Sequence, residues 1–215
     1  MSLATLLVLA DGRLPAGGHA HSGGFEAAVS AGRVRDLAGL EGFLRGRLHT
    51  SGVVAAAFTA AACAGGTTRI AELDDGMDAR TPSPALRRAS RAQGRALLRA
   101  GRAMWPVPEA GREPHHPVAL GVVAAAAGLD PLAAATAAAH GTVTGAASAA
   151  VRLLGLDPYT VHGLIAALAP ECDRVAAASA ATANDPVDEL PADGAPLLDI
   201  GAEHHASWEV RLFAS

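Results

Sequence analysis

The chain has 215 residues and a formal net charge of −4, a length that fits one domain with a substantial core. Half of its residues are apolar, mainly alanine and leucine, and few are aromatic or β-branched, so the composition favours helices over strands. All 17 positions counted as lysine or arginine hold arginine. Because a Walker A phosphate loop and a Schiff-base enzyme each need a lysine, the composition argues against both classes.

Apolar periodicity and helix-capping residues predict the elements in chain order. The opening segment MSLATLLVLADG has no basic residue before its short apolar run, so it predicts a first helix rather than a signal peptide. Ser22, Asp36, Asp130 and Asp157 are expected N-caps, and the last two each precede a proline at the first helical position. The further helical segments are expected at 23–31, 37–49, 53–66, 69–77, 84–104, 118–128, 131–155, 158–169, 171–183 and 197–205.

These elements predict an all-α protein, a single globular bundle of roughly eight to ten helices over residues 1–215. The uncharged run 131–151 is mostly alanine, threonine, serine and glycine, which favours a buried central helix over a membrane span. Cys63 and Cys172 are expected to be buried, reduced thiols of a cytoplasmic protein. We expect a mobile polar loop near 184–195 and a C-terminal binding tail at 207–215.

The stretch GGHAHSGGFE at residues 17–26 carries the residue types of an active site. His19 and His21 would need further ligands at a recognisable spacing to bind zinc or nickel, and none follows. Ser22 lacks the G-x-S-x-G turn of a nucleophilic serine. The favoured interpretation is a glycine-rich turn in which Ser22 caps a helix, and a metal-dependent or serine hydrolase centred on HAHSGG stays the alternative.

Two further patterns have binding potential. Arg88, Arg91 and Arg95 begin an arginine stripe, continued by Arg99 and Arg102, on one face of a predicted helix. The stripe is interpreted as a solvated face with intramolecular ion pairs or, alternatively, as a surface for an anionic partner; without interleaved aromatic residues it does not predict nucleic-acid binding.

Small residues four apart let two helices pack closely, and Gly141 and Gly145 have that spacing. The pair predicts a tight helix crossing in the core or, as the less favoured version, a dimer contact.

Four segments together resemble the family of urease accessory proteins called UreF: LLVLADGRLPAGGHAHSGGFE, RASRAQGRALL, HGTVTGAASAAVRLLGLDP and RLFAS. The first is similar to the family opening L-x-D-x-x-L-P-x-G-x-x-x-H-S-x-G-x-E, and the last to its R-L-F-x-S ending. The likeness is nearest to the actinobacterial type. The chain departs from the common pattern at His19, where many relatives carry an aromatic residue, and at Phe25, where many carry leucine.

The resemblance implies an all-α, dimeric, cytoplasmic protein that is not an enzyme and holds no cofactor or resident metal. It implies binding to UreD (also called UreH), recruitment of the GTPase UreG, and coupling of GTP hydrolysis to nickel insertion into apo-urease. No catalytic residue, nucleic acid or membrane is expected.

The expected partner-binding residues lie in three groups. We expect the main anchors in the tail at Arg211, Leu212, Phe213 and Ser215, because an arginine and an aromatic residue on a mobile end are typical of binding hot spots. The alternative is a tail folded onto its own core. The other candidate contacts are His19, His21, Ser22 and Glu26 of the opening and Arg88, Arg91 and Arg95 of the stripe.

Overall fold

A computed structural model describes residues 2–215, and they contain no strand, which confirms the all-α prediction. The ten α-helices are α1 Leu3–Leu9, α2 Phe25–Ser30, α3 Leu37–Arg47, α4 Val53–Gly65, α5 Ile70–Ala79, α6 Pro84–Arg102, α7 His116–Ala126, α8 Pro131–Leu154, α9 Pro158–Ala181 and α10 Pro196–Ala206. Short 3₁₀ turns lie at Gly18–Ala20, Gly66–Arg69 and Val187–Glu189.

The core forms where α4 packs against α7, α8 and α9, and where α8 and α9 pack against each other. Nine of the 13 residues of α4 are buried, and five of these nine are alanines, which let the neighbouring backbones approach closely. The closest approach is at Gly121 of α7, where a Cβ would lie 2.3 Å from the Thr59 carbonyl oxygen of α4. As predicted, α8 buries many alanines of its uncharged run in this core.

Capping residues define several helix starts in the predicted way. The side chains of Asp36, Asp130 and Asp157 accept hydrogen bonds from backbone N–H groups at the first turns of α3, α8 and α9. The sequence predicted a break near Pro170, but α9 passes through it. Leu168 and Cys172 on either side of this proline are buried, and their packing keeps the helix continuous where the proline removes a backbone hydrogen bond.

The apolar helices at the centre extend further than predicted because α3 continues into α4. A π-helical turn at Leu48–Gly52 joins them, and the joined run Leu37–Ala79 is long and apolar enough to cross a membrane by length and composition. Over half of its most apolar window, 56%, is buried inside the fold, as in a core helix of a globular domain. Cys63 and Cys172 are free and buried, and burial raises the pKa of the Cys63 thiol to about 11.

Arginines anchor the segment 184–195, which the sequence predicted to be mobile. Arg69 donates to the carbonyl oxygens of Ala183 and Asp185, and Arg80 donates to those of Val187, Leu190 and Pro191. Val187 and Leu190 are also buried. A mobile loop would lack these contacts, so mobility is expected only in the part of the segment that follows Pro191.

We expect Gly121→Ala to lower the free energy of unfolding by about 1–3 kcal/mol, since the new methyl group overpacks the contact between α7 and α4. Gly163→Ala is the matched control, because it also lies inside a helix, α9, but its Cβ would meet nothing within 4 Å. There the higher helix propensity of alanine should stabilise the fold by about 0.5–1 kcal/mol. Calorimetry of both variants measures the difference, and equal melting temperatures would contradict it.

Candidate functional site

The C-terminal tail lies along the glycine-rich opening of the chain. The Ala214 N–H donates to the Ala20 carbonyl at 2.7 Å, and the Ser22 N–H donates to the Ser215 carbonyl at 2.7 Å. The Ser22 hydroxyl donates to the same Ser215 carbonyl at 2.8 Å, and the His21 ring bonds the Ser215 hydroxyl through Nδ1 at 2.7 Å. We call residues 19–26 and 212–215 together the terminal junction.

The carboxylate of Glu26 binds the backbone of the tail through hydrogen bonds. Its Oε1 accepts the Leu212 N–H at 2.8 Å, and its Oε2 accepts the Phe213 N–H at 3.0 Å and Nε2 of His205 at 2.8 Å. Burial would raise the pKa of this carboxyl, but the bonds from the two backbone N–H groups and the His205 ring outweigh burial and leave the pKa below its ordinary value. Glu26 is therefore a charged, internally paired acceptor.

A third element, α8, closes the junction from the side. Phe213 is only 4% exposed, and the Arg152 guanidinium lies 4.7 Å from its ring centroid, within cation–π range. The same guanidinium reaches the His19 carbonyl at 3.5 Å. The structure therefore shows the alternative in which residues 212–215 fold onto their own core, while the side chains of Arg211 and Leu212 stay exposed.

The hydrolase alternative at HAHSGG needs a serine hydroxyl in contact with a histidine ring, and the structure does not bring Ser22 and His21 together in this way. The Ser22 hydroxyl is fully buried, donates to the Ser215 carbonyl and accepts the Glu26 N–H at 3.2 Å. Ser22 is not the predicted N-cap, because α2 begins at Phe25 with Gly24 as its N-cap, but its hydroxyl still satisfies an N–H group in the first turn. His21 contacts Ser215 instead of Ser22, and His19 is exposed. Burial and the neighbouring His19 lower the pKa of His21. Among residues 2–215 no three His, Cys, Asp or Glu side chains group as a metal site would require.

The family of the chain follows from its similarity to known proteins. The family model UreF matches residues 34–169, more than half of the sequence. The chain belongs to the UreF family. It is similar over its full length to proteins named urease accessory protein UreF: 51% identical to that of Mycobacterium sp. (strain JLS) and 49% identical to that of Mycolicibacterium vanbaalenii, with 99% of each relative covered. The relative from Mycobacterium tuberculosis (strain H37Rv) is 44% identical with the same coverage.

In this UreF the arginine stripe divides into paired and free members. Arg91 bonds Asp74 at 2.8 Å and Asp78 at 2.6 Å, and Arg95 bonds Glu113 at 2.6 Å. The interpretation of intramolecular ion pairs therefore holds for these two arginines. Arg88 and Arg99 are exposed, and neither forms a salt bridge with a residue of the described chain.

The structure corrects the crossing predicted at Gly141 and Gly145. Both glycines are exposed on α8, and a Cβ at either position would meet nothing within 4 Å. No second helix of the described chain therefore packs closely against the pair. The contact with a second copy stays a prediction.

Sequence reasoning missed a buried network that joins α5, α6 and α7. The His115 ring is fully buried and bonds Asp78 through Nε2 at 2.9 Å and Ser90 through Nδ1 at 3.0 Å. The Ser90 hydroxyl accepts the His116 N–H at 3.0 Å, and Asp74 accepts the His115 N–H at 2.7 Å. Burial lowers the pKa of His115 more than the bond to Asp78 raises it, so the ring stays neutral. Helical periodicity carries no signal for such a network.

We expect Phe213→Ala to lower the free energy of unfolding by about 3 kcal/mol, because it empties the pocket below Arg152. The neighbouring Leu212→Ala removes a side chain that is 53% exposed and should change stability by no more than about 0.5 kcal/mol. Urea denaturation measures both variants. Equal losses would mean that the tail does not dock as described.

We expect Glu26→Gln to destabilise the protein at neutral pH, because an amide cannot accept all three donors as the carboxylate does. Since the folded-state pKa of Glu26 lies below its unfolded value of about 4.5, its contribution is complete above that pH and disappears as the pH falls through the folded-state pKa. The gap between wild type and variant should therefore narrow on acidification. The exposed Glu209→Gln is the control, and a gap independent of pH would refute the charge-based explanation.

Proposed function

We propose that this UreF acts as a non-enzymatic assembly factor in the maturation of urease. The observation that carries the proposal is identity of 44–51% from end to end with proteins whose name states an accessory role for urease. The arrangement at HAHSGG supports it, because Ser22 and His21 are committed to holding the tail. The hydrolase alternative has no comparable support.

In this proposal the chain works in the cytoplasm and binds UreD, recruits the GTPase UreG, and couples GTP hydrolysis to nickel insertion into apo-urease. The absence of lysine supports a division of labour, since a phosphate loop would have to come from another protein. The hydrogen-bonded backbone of the terminal junction supports a scaffold role, because a rigid surface loses less entropy on binding a partner.

We place the UreD contact on the outer side of the terminal junction. Arg211 and His19 are exposed there, and Val210 and Leu212 are 88% and 53% exposed. An arginine beside exposed apolar side chains is typical of a binding hot spot. The terminal junction fixes the backbone from which they project, so UreD would meet a preformed surface.

The free arginines of α6 form the second proposed surface. Arg88 and Arg99 are exposed without an internal acidic partner, which favours an acidic protein surface. Nucleic acid is a poorer fit, since Asp74, Asp78 and Glu113 already neutralise part of the stripe and the net charge is −4. For the proposed homodimer, the exposed glycines Gly141 and Gly145 offer a face on which a second helix could lie close.

Size-exclusion chromatography with light scattering, on the chain alone and mixed with UreD of the same organism, tests the proposal. We expect a homodimer alone and a stable complex with two copies of each protein in the mixture. The absence of a complex with folded UreD, together with hydrolytic turnover by the isolated chain that Ser22→Ala abolishes, would overturn the proposal in favour of the hydrolase.

The same mixture tests the surface. We expect Arg211→Ala to weaken the complex and to lower urease activation at least tenfold while it changes the melting temperature little, because its side chain is exposed. Arg112→Ala, an exposed arginine on the loop before α7, is the matched control. If the loss of activation only follows a loss of stability, Arg211 has a structural role instead.

A further inference from the structure

Arg47 is a half-buried arginine that has no acidic partner among the described residues. Arg47 ends α3, and its Nη1 donates to the Thr142 carbonyl of α8 at 2.5 Å. On the other side a Cβ at Gly23 would lie 2.7 Å from the Arg47 Cζ, so only glycine leaves room for the guanidinium there. Nε and Nη2 make no hydrogen bond to any described residue.

The charge of this guanidinium is not balanced nearby. Arg47 forms no salt bridge within residues 2–215, and burial alone lowers its pKa to about 10. The His116 ring has its pKa lowered to about 4 by burial and by the positive charges of His21 and Arg47. Three carboxylates line the same cavity, Asp11, Asp193 and Asp199, and none of them forms a salt bridge with Arg47; Asp11 bonds Arg13, and Asp199 accepts the Ser83 N–H.

These groups face a common cavity. Arg47, His21, His116 and His140 all line a space of about 800 Å³ that reaches from the terminal junction along α8. The π-helical turn Leu48–Gly52 follows Arg47 directly, and such turns are frequent at functional sites. The Ser51 hydroxyl, on the same turn, also lines the cavity.

We propose that this cavity binds a small planar oxyanion, a carboxylate or carbonate, on the free edge of Arg47. A half-buried and unpaired guanidinium is less well solvated than one in open water, and a bound anion would offset that loss. Nε and Nη2 form the fork that matches two coplanar oxygen atoms, and the His116 ring lines the same cavity. The cavity shares His19 with the outer surface proposed for UreD, but the proposed anion lies on Arg47, so a failure here leaves the assembly role untouched.

Thermal unfolding at matched ionic strength tests the site, with sodium formate, hydrogencarbonate and phosphate each compared against chloride. For a Kd of about 5 mM, 50 mM formate should raise the melting temperature of the wild type by roughly 3–5 °C. Arg47→Met should lose this shift. Arg99→Met, which removes an exposed and unpaired arginine of α6, should keep it. Equal shifts in Arg47→Met, or no shift beyond chloride in the wild type, would overturn the proposal.

Histidine NMR on the wild type keeps the test decisive if Arg47→Met does not fold. Formate should move the ring signals of His116 and His21 saturably, with the Kd of the thermal shift, and leave His204, which is exposed and lies outside the cavity lining, unchanged. Shifts that grow linearly and equally at all three rings would overturn the site. Tighter binding of phosphate than of formate or hydrogencarbonate would overturn the assignment to a planar anion.

Discussion

The Glu26 carboxylate is the interaction on which both ends of this UreF depend. It accepts two backbone N–H groups of the tail and the ring of His205, and so ties the opening, the tail and α10 together at one buried point. A carboxylate is costly to bury unless donors surround it, and here three donors do. The glycines before Glu26 have positive φ, 63° at Gly23 and 88° at Gly24, which turns the chain into α2 with the carboxylate facing the tail.

This arrangement changes the meaning of the residues that look functional in the sequence. Histidine, serine and glutamate in a glycine-rich stretch have the chemistry of an active site. Here the side chains of His21, Ser22 and Glu26 each form a hydrogen bond with Phe213 or Ser215 instead. In the proposed function, the tail therefore binds a partner through the side chains that point outwards. A partner on that surface would therefore sense whether the two ends of the chain are joined.

Local signals predicted much of the fold, whereas the contacts of the site come from tertiary structure. Capping by Asp36, Asp130 and Asp157 is encoded within four residues, so the starts of α3, α8 and α9 were predictable. The bond between Glu26 and Leu212 spans 186 positions, and periodicity cannot reveal it. The opening and the tail both resemble motifs of one family, and this was the only sequence signal that linked the two segments. It did not predict how they contact each other.

Two charged side chains near the opening, buried Glu26 and half-buried Arg47, differ in how many of their polar atoms find a partner within the chain. Glu26 has its donors within the chain, and its pKa falls below the ordinary value as a consequence. Arg47, reached from the same opening through Gly23, has one carbonyl and two neighbouring histidines, and its pKa falls to about 10, the direction that costs stability for a cation. A stable fold tolerates a charge with unpaired hydrogen-bond donors where ligand binding offsets the free-energy cost of that charge. The fully paired charge therefore holds the structure, and the incompletely paired one keeps two nitrogen atoms free for the proposed anion.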